Sequence, residues 1–120
     1  MPKVAVILAG CGVKDGSEIH EATLTLYFLD ELGAKVDIFA PNRSQHHVID
    51  HHSEEENNAV QRNILTEAAR IARGDIKPIT ELNVIDYDAI IFPGTISENI
   101  AFGSLHHQEK IERAAQMSSL

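Results

Sequence analysis

Apolar residues fall along this chain in two kinds of run, and the two kinds alternate. Lys3-Val-Ala-Val-Ile-Leu-Ala9 is nearly unbroken, the pattern of a strand buried on both faces. A loop of turn-forming residues, Gly10-Cys-Gly-Val-Lys-Asp-Gly-Ser17, follows it. Ile19, Ala22, Leu26 and Leu29 then recur at helical spacing, with Gly33 at the expected stop. Ser17 is placed to cap that helix, and Glu18 and Glu21 lie in its first turn, where the dipole favours negative charge. Lys35-Val-Asp-Ile-Phe-Ala40 predicts a second strand, closed by Pro41 and Asn42. Strand, loop, helix and strand in that order predict a right-handed parallel crossover.

Residues 43–56 are polar and rich in histidine, the composition of an excursion over the surface. From Asn58 a second helical pattern sets in, with Val60, Ile64, Leu65, Ala68, Ile71 and Ala72 on one broad face and Gly74 at its end. Ile76 to Ile79 predicts a short strand, and Pro78 assigns it to an edge. Thr80 to Ile85 fits one helical turn, and Asp88-Ala-Ile-Ile-Phe92 a third core strand that Pro93-Gly94 turns at its carboxyl end. Thr95 to Ser104 has neither period nor cap, and His106 to Met117 fits a polar helix whose apolar stripe is Ile111, Ala114 and Ala115. The class is α/β on a parallel sheet.

Composition narrows the partners. The 120 residues make one domain with a modest core, and 43% apolar content is ordinary for a globular chain. Eighteen acids against ten bases give a formal charge of −8, which repels phosphate backbones and anionic lipid; no nucleic acid or membrane partner is expected. No apolar run reaches membrane-span length, and Val4 to Ala9 is too short for a signal peptide. The single cysteine, Cys11, fits a reducing compartment, so the expected address is the cytoplasm.

Open parallel sheets bind ligands beyond the carboxyl ends of their strands, where Gly10–Glu21, Pro41–Asn42 and Pro93–Thr95 arrive. The glycine loop reads Gly-x-Gly-x-x-x-Gly, one residue off the dinucleotide fingerprint, and the second strand ends in Ala40-Pro41 without an acid for a ribose. Both departures weigh against a nucleotide. Glu21 stands one turn into a helix that starts at this edge. It serves either as a proton-exchanging carboxyl, if burial raises its pKa, or as a solvated acid supporting the dipole. Cys11 precedes the same helix with no histidine near it in sequence, and an unreactive loop thiol is the favoured reading. His46-His47, His51-His52 and His106-His107 come in pairs. His47 and His51 would share a helix face near Glu54, Glu55 and Glu56, but no zinc spacing is reproduced, so a solvated loop is favoured over a metal site.

Longer stretches carry a resemblance. Gly10-Cys-Gly-Val-Lys-Asp-Gly-Ser-Glu-Ile-His-Glu-Ala22 resembles the signature of the ElbB proteins, a branch of the ThiJ/PfpI, class I glutamine-amidotransferase-like superfamily. Phe39-Ala-Pro41, Val48-Ile-Asp-His51, the segment Arg62 to Gly74, and Ile91-Phe-Pro-Gly94 agree with it. The resemblance implies a flavodoxin-like parallel sheet with flanking helices and a site without cofactor. It also implies glyoxalase-type conversion of small dicarbonyls to hydroxy acids and a link to isoprenoid production. In that pattern Glu21 is the catalytic acid, Gly10, Cys11 and Gly12 line the site, and Gly94 and Thr95 occupy the oxyanion loop.

Two departures shape the expectation. Thr95 stands where the family has a second glycine, and the nucleophile cysteine belongs to a strand–helix unit that this sequence lacks; Cys11 is the family's loop cysteine. Residues 1–94 are thus expected to be the amino-terminal part of such a domain. Residues 95–120 would be a non-matching, frameshifted or degenerate tail, leaving the three-layer sandwich incomplete and truncated and the chain inactive alone. The rival reading is a non-catalytic binding or assembly module, pairing through the exposed sheet edge with another chain or as a homo-oligomer.

Overall fold

The computed structural model describes residues 1–94. Its centre is a four-stranded sheet in the order β5-β2-β1-β6, every neighbouring pair parallel. The strands are β1 (Lys3–Ile7), β2 (Lys35–Ala40), β5 (Lys77–Pro78) and β6 (Ala89–Ile91). Between them lie α1 (Ile19–Glu31), the two-residue antiparallel strands β3 (Ile49–Asp50) and β4 (Glu55–Glu56), and α2 (Ile64–Ala72). The α/β parallel expectation holds. Thr95, the His106-His107 pair and the helix read over residues 106–117 lie outside the described residues.

Alternation along the strands builds two cores. Val4, Val6, Leu8 and Ala40 point to one face and pack with Ala22 of α1 and Ala68 of α2. Ala5, Ile7 and Phe39 point to the other and meet Ile79 and Leu82. Both helices therefore cover one face, as successive right-handed crossovers running the same way across a sheet require. The opposite face is closed by two 3₁₀ turns, Ile79–Glu81 and Val84–Asp86, where the sequence predicted a single helical turn. β1 is buried on both sides, which explains its unbroken apolar run. Pro78 sits in the edge strand β5, where its missing N–H costs no ladder bond.

The helix ends depart from expectation in instructive ways. Glu18, not Ser17, caps α1: its carboxylate accepts the Glu21 N–H at 2.9 Å. Ser17 is buried instead, and its Oγ accepts the Ala9 N–H at 2.9 Å, tying the loop back to the end of β1. Ile19 lies outside the core, 46% exposed, because α1 turns Ala22, Leu26 and Leu29 to the sheet. α2 begins at Ile64 rather than near Asn58, with the Asn63 side chain accepting the Thr66 N–H at 2.9 Å; Val60 precedes it and is exposed. The left-handed turn that ends α2 starts at Arg73, φ 56°, and continues through Gly74, φ 84°.

Candidate active site at the carboxyl edge of β1

The register Val6↔Ile91 aligns β1 with β6, so the loop after β1 and the Pro93-Gly94 turn leave the same edge of the sheet. The loop is a closed, internally bonded turn. Gly10 takes φ +63°, and its N–H donates to the Ile64 carbonyl at 3.2 Å. Gly12 N–H donates to the Ser17 carbonyl at 2.8 Å, and Ser17 N–H to the Ala9 carbonyl. Three of the loop's amides, those of Gly10, Gly12 and Ser17, are thus taken within the fold.

Asp15 is the residue that sequence reasoning passed over. An acid among turn residues reads as solvated, yet Asp15 is only 2% exposed. Its Oδ2 accepts the Ile49 N–H at 2.8 Å, and its Oδ1 lies 3.6 Å from His51 Nε2. Both partners belong to the β3–β4 hairpin, more than thirty positions away in sequence. Lys14 adds an ion pair to Glu54 of the same hairpin at 3.5 Å. Gly12 makes the approach feasible: a Cβ there would lie 2.7 Å from His51 Cε1.

The hairpin changes the reading of the histidines. His47 and His51 do not share a helix face, because residues 49–50 and 55–56 pair as strands. His47 Nδ1 lies 3.0 Å from Glu56 Oε1, while His51 turns to Asp15. The tight turn takes Glu54 through φ 65°, and the Asp50 carboxylate accepts the His52 N–H at 2.9 Å. Among the described residues no group of three or more His, Cys, Asp or Glu side chains is arranged to hold a metal ion. Ser44, His46, Val48, Glu56, Asn57 and Gln61 are among the residues lining an open polar cleft of about 170 Å³.

Glu21 is exposed on the first turn of α1. Its N–H is held by Glu18 and its carbonyl by Thr25 Oγ1, but among the described residues nothing donates to its carboxylate. Glu18 differs: His20 Nδ1 at 2.7 Å and the Glu21 N–H hold its pKa below the ordinary value. Cys11 is half-buried, and burial pushes its thiol up despite the pull of Arg70. That environment disfavours a thiolate at neutral pH. Gly94 is exposed three residues past β6, and Thr95 lies outside the described residues.

Comparison with known proteins completes the picture. No family model matches the chain. The chain is 52% identical over 92 residues to the human glutamine amidotransferase-like class 1 domain-containing protein 3, mitochondrial, an alignment covering 77% of this chain and 34% of that protein. It is 41% identical over 95 residues to the zebrafish (Danio rerio) ES1 protein, mitochondrial, covering 76% of this chain and 35% of the relative. The homologues of this chain are glutamine amidotransferase-like class 1 domain proteins. The crystal structure of an isoprenoid biosynthesis protein with amidotransferase-like domain from Ehrlichia chaffeensis superposes with a TM-score of 0.75 at 47% identity, over 77% of this chain and 43% of that one. The described residues thus form part of a flavodoxin-like, amidotransferase-like fold. The chain spans about a third of the length of the curated relatives it matches. No helix among the described residues is long and apolar enough to cross a membrane.

Proposed function

We propose that residues 3–94 carry the proton-transfer side of a glyoxalase-type site on the amidotransferase-like fold, acting on small dicarbonyls such as glyoxal. The observation that carries this reading is the placement of Glu21 on the first turn of the helix that follows the carboxyl edge of central strand β1; its carboxylate is exposed among the described residues, so in this reading the part of the site that brings the nucleophile also covers it. Glyoxal and water become glycolate with no external oxidant, because one carbonyl carbon is reduced while the other is oxidised. A thiolate adds to one aldehyde, Glu21 moves the proton between the two carbons, and water cleaves the resulting thioester. Burial raises the thiol of Cys11, the chain's one cysteine, and disfavours it as the nucleophile; in this reading the thiolate is supplied by another part of the site, and the chain alone is inactive. Gly94 and Thr95 would occupy the oxyanion loop in this reading. The isoprenoid link in the Ehrlichia protein's name extends to this chain in the same reading. The single cysteine argues for the cytoplasm, and subcellular fractionation separates that from the mitochondrial address in the relatives' names.

The test is a chimera in which residues 3–94 replace the aligned segment of the Ehrlichia protein, assayed for glycolate formation from glyoxal. Turnover is expected to fall about 10²-fold or more in Glu21→Gln, the usual contribution of a positioned acid–base group. Turnover that ignores Glu21→Gln sinks the reading. The rival, a second copy pairing along β6, draws on the outer edge of that strand, which has no neighbour among the described residues, and on the half-buried Ile90, Ile91 and Phe92. It predicts a concentration-dependent mass for the isolated chain that Glu21→Gln leaves unchanged.

A further inference from the structure

A carboxylate buried beneath a glycine loop needs a reason, and the reading above gives Asp15 none. Burial removes it from water; Oδ2 accepts one backbone amide, and Oδ1 faces an imidazole at 3.6 Å, both from a single hairpin. Asp15 Oδ2 holds the first residue of β3 through the Ile49 N–H, which fixes where the hairpin begins. Asp15 Oδ1 faces His51 Nε2 at the turn that follows, and the imidazole rests over Gly12, where only a hydrogen fits. The other charges at this junction are the Lys14–Glu54 ion pair, which joins the same loop to the same hairpin, and Asp50, whose Oδ1 accepts the His52 and Ser53 N–H groups. Cys11, one residue before Gly12, feels Asp15 as well as Arg70, Glu67 and Arg62. His51 keeps about two-fifths of its side chain open to solvent, with Nδ1 uncommitted among the described residues.

We propose that Asp15 is a positioning residue that clamps the 49–56 hairpin onto the glycine loop and seats His51 over Gly12 at the carboxyl edge of β1, where its imidazole is a second proton-transferring group for the same site. The inference rests on the proton-transfer reading of that edge and adds a residue to it. A buried carboxylate behind an imidazole is a serviceable arrangement: it holds the ring's orientation and supports its positive charge when the outward nitrogen takes a proton.

Two measurements test it. In the isolated chain, Asp15→Ala is expected to speed exchange of the Ile49 amide about tenfold to a hundredfold, the span for a lost bond to a charged acceptor, and to remove the Gly12–His51 proton contact seen by NMR. Asp15→Asn, which keeps an acceptor for Ile49 if Asp15→Ala does not fold, is expected to retain most of that protection while weakening the His51 contact. Unchanged Ile49 exchange in the variant that folds without a carboxylate acceptor, or an unchanged His51 contact in Asp15→Asn, overturns the clamp. In the chimera, His51→Gln is expected to cost about tenfold or more in kcat with little change in KM. It should also abolish the imidazole-dependent limb of the pH–rate profile, and Asp15→Asn should do the same. Turnover that falls in Glu21→Gln but keeps its pH profile in His51→Gln overturns this inference alone. A chimera without turnover overturns the underlying reading and this inference with it.

Discussion

Replacing Gly16 with alanine separates steric exclusion from backbone strain. Gly16 lies where the loop returns to β1, drawn in by two hydrogen bonds between Ala9 and Ser17. A Cβ there would lie 2.5 Å from the Ala9 carbonyl oxygen, 2.7 Å from the Cys11 nitrogen and 2.8 Å from the Gly10 carbonyl carbon. All three are backbone atoms at least 0.6 Å inside the 3.4 Å at which ordinary contact begins, so no side chain can swing aside. Either the loop lifts and the Ala9–Ser17 bonds lengthen, or the end of β1 shifts. We expect a cost of about 3 kcal/mol, the upper part of the overpacking range. Gly33→Ala is the control: φ is +76° and nothing lies within 4 Å of the added methyl, so only dihedral strain of about 1 kcal/mol applies. The difference of about 2 kcal/mol corresponds to roughly 10 °C in Tm for a domain of this size. Urea and thermal melts of both variants, followed by circular dichroism, make the comparison. A Gly16→Ala chain as stable as Gly33→Ala would refute the claim that this loop is packed against the strand end by its backbone.

Two further outcomes follow from groups whose ionisation the fold perturbs. Burial raises the Cys11 thiol, so the folded state favours its protonated form; that contribution is present below the ordinary thiol value and is lost as pH rises through the folded one. Iodoacetamide alkylation of the folded chain should therefore rise at higher pH than in urea-unfolded chain, and coincident profiles would count against it. Tyr87 is pushed up to about 12 by burial and by its hydroxyl donating to Asp37 Oδ2 at 2.8 Å. Its contribution to stability is complete below about 10, the unfolded value, and is lost as pH rises toward 12, a loss that Tyr87→Phe should abolish. Near-ultraviolet titration reads the midpoint directly, and a Tyr87 midpoint near the unfolded value refutes the half-buried Asp37 contact.

Much of the framework was legible in the chain because its signals are local. An apolar run such as Lys3 to Ala9 has few environments open to it other than a strand covered on both faces, and the observed β1 is that strand. Gly33 and Gly74 marked helix stops because positive φ is cheap only without a Cβ, and both take it. Pro78 gave the edge position because a missing N–H is a property of the residue itself. The long motifs shared with amidotransferase-like relatives were legible for the same reason, being contiguous strings of residues.

What tertiary structure alone decided concerns polar groups whose partners are remote in sequence. Ser17 and Glu18 compete for one helix cap, and the choice turned on Ala9, whose unpaired N–H at the end of β1 took the serine. The histidine segment had no periodicity to read; it pairs as a hairpin around a turn that Asp50 braces, and Asp15 ties that hairpin to the glycine loop. Asp15 itself drew no assignment in the sequence, since burial of a carboxylate depends on groups that come to it, and those arrive from residues 49 and 51. Hydrophobic pattern and backbone chemistry act over a few residues and are written in the sequence. The burial of a charge is settled only when distant segments meet around it.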